Sequence, residues 1–200
     1  RLRKRYGIPT LTQGDRALRK FPALTGIQKQ LLVGSLLGDG WMDATSEQSA
    51  RFLEGHCIQQ TEYLDWKASL LSPFVSSHFK HSKTDKTGTV FHGNTITTVS
   101  CPQFRPFFDL FYPAPGHKRV FPANLSELLT PFALAVWYMD DGSVTDARNA
   151  RIAFGLDDVS LHRATKALKR LGLRPRVYGS GGDQAIHIMG QTRKFLDLVG

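Results

Sequence analysis

The chain has 200 residues, of which 41% are hydrophobic and 22% are charged, and this composition excludes disorder as a description of the whole chain. Twenty-six Lys and Arg residues against 17 Asp and Glu give a net charge of +9, the balance expected of a protein that meets a polyanion such as nucleic acid. No apolar run approaches a membrane span, and the two cysteines, Cys57 and Cys101, are too few for a disulfide framework, so we expect a reducing compartment.

Residues 1–24 are predicted to form a basic N-terminal arm. Eight Lys and Arg residues precede the apolar run that begins at Leu31, against a single acid, Asp15. Such an arm either wraps a phosphate backbone or is a solvated tail, and the sequence leaves both interpretations open.

The first folded half is predicted over residues 25–112. Thr25 and Gln28 have the spacing of a capping box, and the apolar helix that they open ends at Gly38-Asp39-Gly40. The patterns that follow predict four strands and two more helices, the first of these helices capped by Thr61. In chain order they are strands Trp41–Ala44 and Arg51–Ile58, helix Glu62–Leu71, strands Ser76–Ser82 and Thr89–Ser100, and helix Pro102–Tyr112.

The same order of elements returns over residues 130–200, after a Pro- and Gly-containing linker over 113–129. Thr130 and Pro131 open a second apolar helix that ends at Asp140-Asp141-Gly142, so that Asp141 follows Asp39 by 102 positions. The sequence therefore predicts an α+β fold of two αββαββα halves. The later elements are strands near Ser143–Thr145 and at Arg151–Leu156, helix Leu161–Leu171, strands Arg174–Tyr178 and Gln184–Met189, and helix Gln191–Val199.

Basic and hydroxyl residues alternate with apolar ones in several strands, as where Thr95 and Thr97 flank Ile96. This alternation predicts one apolar sheet face and one polar, partly cationic face, which would fit a DNA major groove. An ordinary solvated face is the alternative. The residues predicted to contact nucleic acid are Arg51, Lys80, Lys83, Lys86, Thr95, Thr97, Arg148, Arg151, Arg174, Arg176 and Gln184.

The two apolar helices both end in acids. Small residues such as Gly34 and Ala133 allow the helices to pack closely, which would bring Asp39 and Asp141 together. Two carboxylates at two negative helix termini repel each other, and a divalent cation such as Mg²⁺ or Mn²⁺ would resolve that conflict. The alternative is that each acid is an exposed helix end without chemistry.

Both helix ends resemble a known motif. Residues 32–40 read LVGSLLGDG and residues 134–142 read LAVWYMDDG, and both resemble the LAGLIDADG motif. The chain is similar from about residue 25 to 200 to the monomeric homing endonucleases with two such motifs, and near Val120–Leu125 to their yeast mitochondrial intron-encoded members. The resemblance implies a monomer with internal pseudo-twofold symmetry, whose two sheets form a saddle over double-stranded DNA, and a site-specific double-strand endonuclease without a membrane partner.

The resemblance also implies site residues. Asp39 and Asp141 would hold the Mg²⁺ or Mn²⁺, and Gly38 and Asp140 would add backbone carbonyls. Arg119, with Lys118 beside it, would stabilise phosphate charge or order the attacking water.

Three features depart from that family's pattern. Gly55 falls where a polar residue usually follows the apolar stretch of the second strand, and Gly155 with Leu156 replaces the polar pair of the second half. The second half is also expected to be truncated before the segment that carries its own basic residue.

Two other functions stay open. Proteins that resemble this family can act as maturases that bind their own intron RNA, and a degenerate copy would bind DNA without cleaving it. Residues 138–141, Tyr-Met-Asp-Asp, also spell the palm motif of reverse transcriptases. That motif needs a strand–turn–strand, whereas the Thr-Pro cap here predicts a helix.

Overall fold

The computed structural model describes residues 21–114, 116, 118–146, 149–154, 156–179 and 184–200, so that most of the predicted basic arm lies outside the described residues. The helices are α1 Gly26–Leu37, α2 Thr61–Leu70, α3 Arg105–Phe111, α4 Leu125–Leu128, α5 Pro131–Asp141, α6 Asp158–Arg170 and α7 Thr192–Val199. The strands are β1 Trp41–Ala44, β2 Ala50–Cys57, β3 Val75–Thr84, β4 Val90–Thr98, β5 Ser143–Asp146, β6 Asn149–Phe154, β7 Pro175–Tyr178 and β8 Ala185–Met189. Within these ranges, no helix combines the length and the apolar character that crossing a bilayer requires.

The two halves share one topology. The first antiparallel sheet has the strand order β1-β2-β4-β3, and the second has the order β5-β6-β8-β7. Each half starts with an apolar helix, α1 or α5, and carries a second helix between its strand pairs. The predicted αββαββα duplication is confirmed.

The two apolar helices begin as the sequence predicts. The Thr25 hydroxyl accepts the Gln28 amide at 3.3 Å, while Gln28 Oε1 accepts the Thr25 amide at 3.0 Å, which completes the capping box. The Thr130 hydroxyl likewise accepts the Ala133 amide at 3.1 Å, with Pro131 in the first turn of the helix. Local side chains therefore fix where α1 and α5 start.

The close packing of α1 against α5 depends on a glycine. A Cβ added to Gly34 would stand 2.6 Å from the Ala133 carbonyl oxygen and 2.6 Å from the Val136 Cβ. Only a residue without a side chain allows the two helices to approach this far. The approach brings their C-terminal ends together.

One apolar core joins both halves. Leu31, Leu36 and Leu37 of α1 and Trp137 of α5 are fully buried within it, and each buried side chain of this size contributes about 1.5–3 kcal/mol relative to exposure. The Phe121 ring packs edge-on against Trp137, with 5.6 Å between centroids. Residues 118–129 of the segment predicted as a linker thus pack onto the core and carry the short helix α4.

Two predicted helix starts are wrong. Thr61 does not cap α2, because a 3-10 turn over Ile58–Gln60 leads straight into the helix and the Thr61 hydroxyl donates to the Ile58 carbonyl at 2.7 Å. Helix α6 begins at Asp158, three residues before the predicted start, because Asp157 caps it by accepting the amides of Val159 and Ser160.

Candidate active site

Asp39 and Asp141 lie at the adjoining C-terminal ends of the two apolar helices. The Asp39 side chain is 43% exposed, which leaves it open to solvent. Burial raises the pKa of Asp141 to about 6, and the negative charge of Asp39 adds to that rise. Burial also raises the pKa of Asp39. Burial therefore disfavours the ionised form of both acids of the predicted pair.

Arg119 lies beside this pair. Its Nη1 donates to the carbonyls of Gly38 and Gly40, at 2.7 and 2.8 Å, and so closes the turn that carries Asp39. Its charge lowers the pKa of both Asp39 and Asp141 against the larger effect of burial. The Gly38 carbonyl, predicted as a metal ligand, already accepts one guanidinium N–H.

Lys118 faces a different region from Arg119. The side chain is exposed, and its charge helps to lower the pKa of Asp157 at the start of α6. The structure thus brings only one of the two predicted basic residues to the acid pair.

Asp140 is buried rather than exposed beside Asp141. Lys67 of α2 donates to Asp140 Oδ1 at 2.7 Å and also to Glu54 Oε1, and the three side chains are fully buried. The Ser35 hydroxyl lies 3.0 Å from Lys67 Nζ, and the Tyr63 hydroxyl donates to Asp140 Oδ1 at 2.8 Å. Asp140 was predicted to offer its backbone carbonyl, whereas the structure assigns its carboxylate a role in an ion-pair network.

His56 completes this network, and we call Glu54, His56, Lys67 and Asp140 the buried charge cluster. His56 Nε2 lies 3.0 Å from Glu54 Oε1, and Nδ1 lies 3.5 Å from Asp39 Oδ2. Burial lowers the pKa of His56, but the hydrogen bond and charge of Glu54 outweigh burial and raise it. Candidate metal-ligating atoms of Asp39, His56 and Asp140 all lie within 4.8 Å of one another.

His56 of β2, and not its neighbour Gly55, lies on the side of the sheet that faces Asp39. In β2 the alternate residues Ala50, Phe52, Glu54 and His56 are buried. Because side chains alternate across a strand, Gly55 faces the opposite side of the sheet. The period-two pattern from Phe52 onward was the signal that could have found His56. For Lys67 no signal existed, because a helical lysine is usually exposed.

Gly38 and Asp140 occupy equivalent motif positions, but the helices differ there. A Cβ added to Gly38 would touch the Asp140 Cβ and stand 2.7 Å from Asp140 Oδ2. The Asp140 side chain therefore fills the space that a side chain at 38 would need. The site is asymmetric although the fold is duplicated.

The charges of this centre leave room for a cation. Asp39, Glu54, Asp140 and Asp141 place four carboxyl groups around two lasting positive charges, those of Lys67 and Arg119, among the described residues. Burial and the charge of Glu54 raise the pKa of Asp140 to about 7, which agrees with this excess of carboxyl groups over positive charges. Carboxylate oxygens in such excess suit a hard divalent cation.

The second sheet presents a basic row. Arg151 of β6 lies opposite His187 of β8, which in turn lies opposite Arg176 of β7. Arg151 and Arg176 were predicted to contact nucleic acid, and His187 lies between them. All three lie on one face of the sheet, away from buried Ile186 and Ile188. Arg174 is exposed just before β7 and Gln184 is half-buried just before β8, while Arg148 lies outside the described residues.

The first sheet is less uniform than predicted. Arg51 pairs with Asp43 at 3.0 Å on the outer face, and the exposed Lys83 lies on that face of the β3–β4 hairpin. Lys80 lies three residues earlier and so faces the opposite side. Lys86 is exposed at the hairpin tip and Thr97 is half-buried.

Thr95, which was predicted to contact nucleic acid, is 8% exposed and lies in β4, the strand between β2 and β3. Gly155 lies outside the described residues, and Leu156 is half-buried just before the Asp157 cap.

Comparisons with known proteins agree on one family. The LAGLIDADG DNA endonuclease family matches residues 29–195. A protein named Protein RecA from Mycobacterium shimoidei is 32% identical over 209 residues, which cover 94% of this chain and 47% of that protein. The DNA endonuclease I-ChuI of Chlamydomonas applanata is 31% identical over 134 residues, covering 61% of this chain and 60% of that protein. The chain thus spans about half the length of the first of these relatives.

A solved structure shows the same fold. The homing endonuclease I-WcaI, bound to its DNA recognition sequence, superposes with a TM-score of 0.83 at 17% identity, covering 100% of this chain and 92% of that chain. At this identity the likeness concerns the fold.

Proposed function

The chain belongs to the LAGLIDADG DNA endonuclease family, and on that premise we propose that it is a site-specific endonuclease that hydrolyses one phosphodiester in each strand of double-stranded DNA. The observation that carries the proposal is that Asp39 and Asp141 lie together at the adjoining helix ends, where burial and the charge of Asp39 raise the pKa of Asp141. These are the acids that end the two motif helices, and burial raises the pKa of both although the charges of Arg119 and Lys67 oppose it. A functional site explains such a costly arrangement better than a structural one does.

Asp39 and Asp141 would hold Mg²⁺ or Mn²⁺. A bound divalent ion supplies activation of water and stabilisation of the charge that develops on the phosphate. The chain's own residues then fix the geometry. Arg119 holds the turn over residues 38–40 in place through two carbonyls, and its charge lies near the same acids. Lys67 and Asp140 hold the end of α5 from inside the fold.

The basic row of the second sheet supports DNA as the partner. Arg151, His187 and Arg176 lie side by side on one face, where they can meet successive phosphates. The net charge of +9 favours the same partner. The outer faces of the two sheets together would form the saddle over the duplex.

The proposal is tested by incubating the protein with a randomised duplex library and sequencing the cut ends. Reactions with Mg²⁺ and with Mn²⁺ are compared with a Ca²⁺-only reaction and with Asp141→Asn. The exposed Asp158→Asn in α6 is the matched control, because it removes the same charge away from the site.

Paired, staggered cuts around one sequence are expected for the unmodified chain and for Asp158→Asn only. Equal cutting by Asp141→Asn would contradict the proposal. Selective binding of structured RNA over duplex DNA, without cuts, would favour the maturase alternative instead.

A further inference from the structure

The orientation of the His56 ring is set from behind by a buried carboxylate. Glu54 is fully buried and accepts a hydrogen bond from Lys67. Its Oε1 lies 3.0 Å from His56 Nε2, so this ring nitrogen is already engaged. Nδ1 is the ring nitrogen that is left for a second partner.

Nδ1 faces a second carboxylate. His56 Nδ1 lies 3.5 Å from Asp39 Oδ2, and the His56 side chain is only 1% exposed. A proton on Nδ1 can join these two groups in the metal-free protein, and a divalent cation that both groups ligate would displace that proton. A carboxylate that orients a histidine ring from its other nitrogen is the usual partner of a metal-ligating histidine.

The carboxylate of Asp140 borders the same place, since its ligand atom lies within 4.8 Å of those of Asp39 and His56. Asp140 takes its hydrogen bonds from Lys67 and Tyr63 through Oδ1, and its Oδ2 has only the long 3.4 Å contact from the Asp39 amide among the described residues.

We propose that His56 Nδ1 is a direct ligand, together with Asp39, of a divalent cation at the first motif, with Asp140 as the third donor. The inference deepens the proposed function, since it concerns the metal of the same site. An imidazole ligand favours Mn²⁺ and Co²⁺ over Mg²⁺, which prefers oxygen alone. The chain's metal preference would thus come from one residue of β2 that lies outside both motifs.

The test measures metal binding without DNA or cleavage. Pulsed electron paramagnetic resonance of Mn²⁺ bound to the full chain reports directly coordinated nitrogen, and growth on ¹⁵N-histidine identifies that nitrogen as imidazole. Calorimetric titration gives the Mn²⁺ and Mg²⁺ affinities. The variants are His56→Gln and the matched control His162→Gln, an exposed histidine of α6.

We expect a histidine nitrogen signal in the unmodified chain and in His162→Gln, and its loss in His56→Gln. The Mn²⁺ affinity of His56→Gln should fall about 10- to 100-fold, while the Mg²⁺ affinity changes by roughly threefold or less. If His56→Gln fails to fold, Asp39→Asn serves instead. It leaves the ring in place and should also lose the signal.

A nitrogen signal that persists in His56→Gln, or in Asp39→Asn, would overturn the inference. Mn²⁺ bound without any nitrogen signal would also overturn it, while leaving the metal-dependent endonuclease proposal intact. A chain that binds neither Mn²⁺ nor Mg²⁺, with or without DNA, would overturn both.

Discussion

Lys67 of α2 and Asp140 of α5 form a fully buried ion pair, with 2.7 Å between Nζ and Oδ1, across 73 positions of the sequence. The pair joins the first half to the last turn of the second motif helix. Because Glu54 shares the same ammonium group, Lys67 is the fixed cation between two buried carboxylates. Its removal would leave both carboxylates without the ammonium group that they share.

Lys67→Met is therefore expected to destabilise the protein by about 3–5 kcal/mol, the usual cost of an uncompensated buried charge. Urea denaturation followed by circular dichroism measures this. Adding Glu54→Gln and Asp140→Asn to Lys67→Met should recover part of the loss, because the carboxylates no longer need a partner. The exposed Lys166→Met of α6 is the control and should change stability by about 0.5 kcal/mol or less. Equal effects at 67 and 166 would show that the pair contributes nothing.

Gly34→Ala should destabilise the fold by several kcal/mol, because the new methyl group would overlap the Ala133 carbonyl and Val136. Gly26→Ala, at the start of the same helix, meets nothing within 4 Å and should be neutral or slightly stabilising. Thermal melts of the two variants check this contrast. A stable Gly34→Ala would mean that α1 and α5 do not pack this closely.

Asp141→Asn should raise the melting temperature of the metal-free protein or leave it equal. The raised pKa of Asp141 means that the ionised carboxylate is disfavoured by burial and by Asp39, and the amide removes that repulsion. Differential scanning calorimetry in chelator measures the shift, with Asp158→Asn as the control. A marked loss of melting temperature would instead make the carboxylate a structural group.

Asp157→Ala should lower stability at pH 7 by about 1 kcal/mol, because the cap of α6 is lost. Partial burial raises the pKa of Asp157, but hydrogen bonds from Ser160 and Val159 outweigh it and hold the pKa below its usual value. The stabilisation is therefore present above the unfolded-state pKa of about 3.9 and is lost as the pH falls through the lower folded-state value. Urea midpoints from pH 7 to 2 should converge for the two proteins, whereas the exposed Asp197→Ala should match the unmodified chain throughout.

DNA binding should weaken steeply with salt, because each neutralised phosphate releases counterions. Fluorescence anisotropy on a random duplex in Ca²⁺ gives the slope of log affinity against log salt concentration. Arg176→Gln should reduce the magnitude of that slope by about 1, since it removes one cation of the basic row. The exposed Lys169→Gln of α6 is the comparison, and an unchanged slope for Arg176→Gln would place the DNA elsewhere.

The features that were predicted from the sequence are those that depend on residues close together in the chain. The caps at Thr25 and Thr130, the helix ends at the acids and the repeated strand order depend on neighbouring residues and short periods, so they were predictable. The buried charge cluster was not, because Glu54, Lys67 and Asp140 come from a strand, a helix and the opposite half. The cap predicted at Thr61 was wrong because a preceding 3-10 turn leads straight into the helix.

Because the Asp140 side chain fills the space beside Gly38, the two halves of the chain cannot replace each other. If two copies of the first half were paired as a homodimer, each would present a glycine where the other needs an acid, and each Lys67 would lose its inter-half partner. The duplicated halves have become mutually dependent and are no longer interchangeable parts. A chimaera that joins this first half to the second half of another two-motif chain should therefore fold only when that second half has an acid at the position equivalent to Asp140.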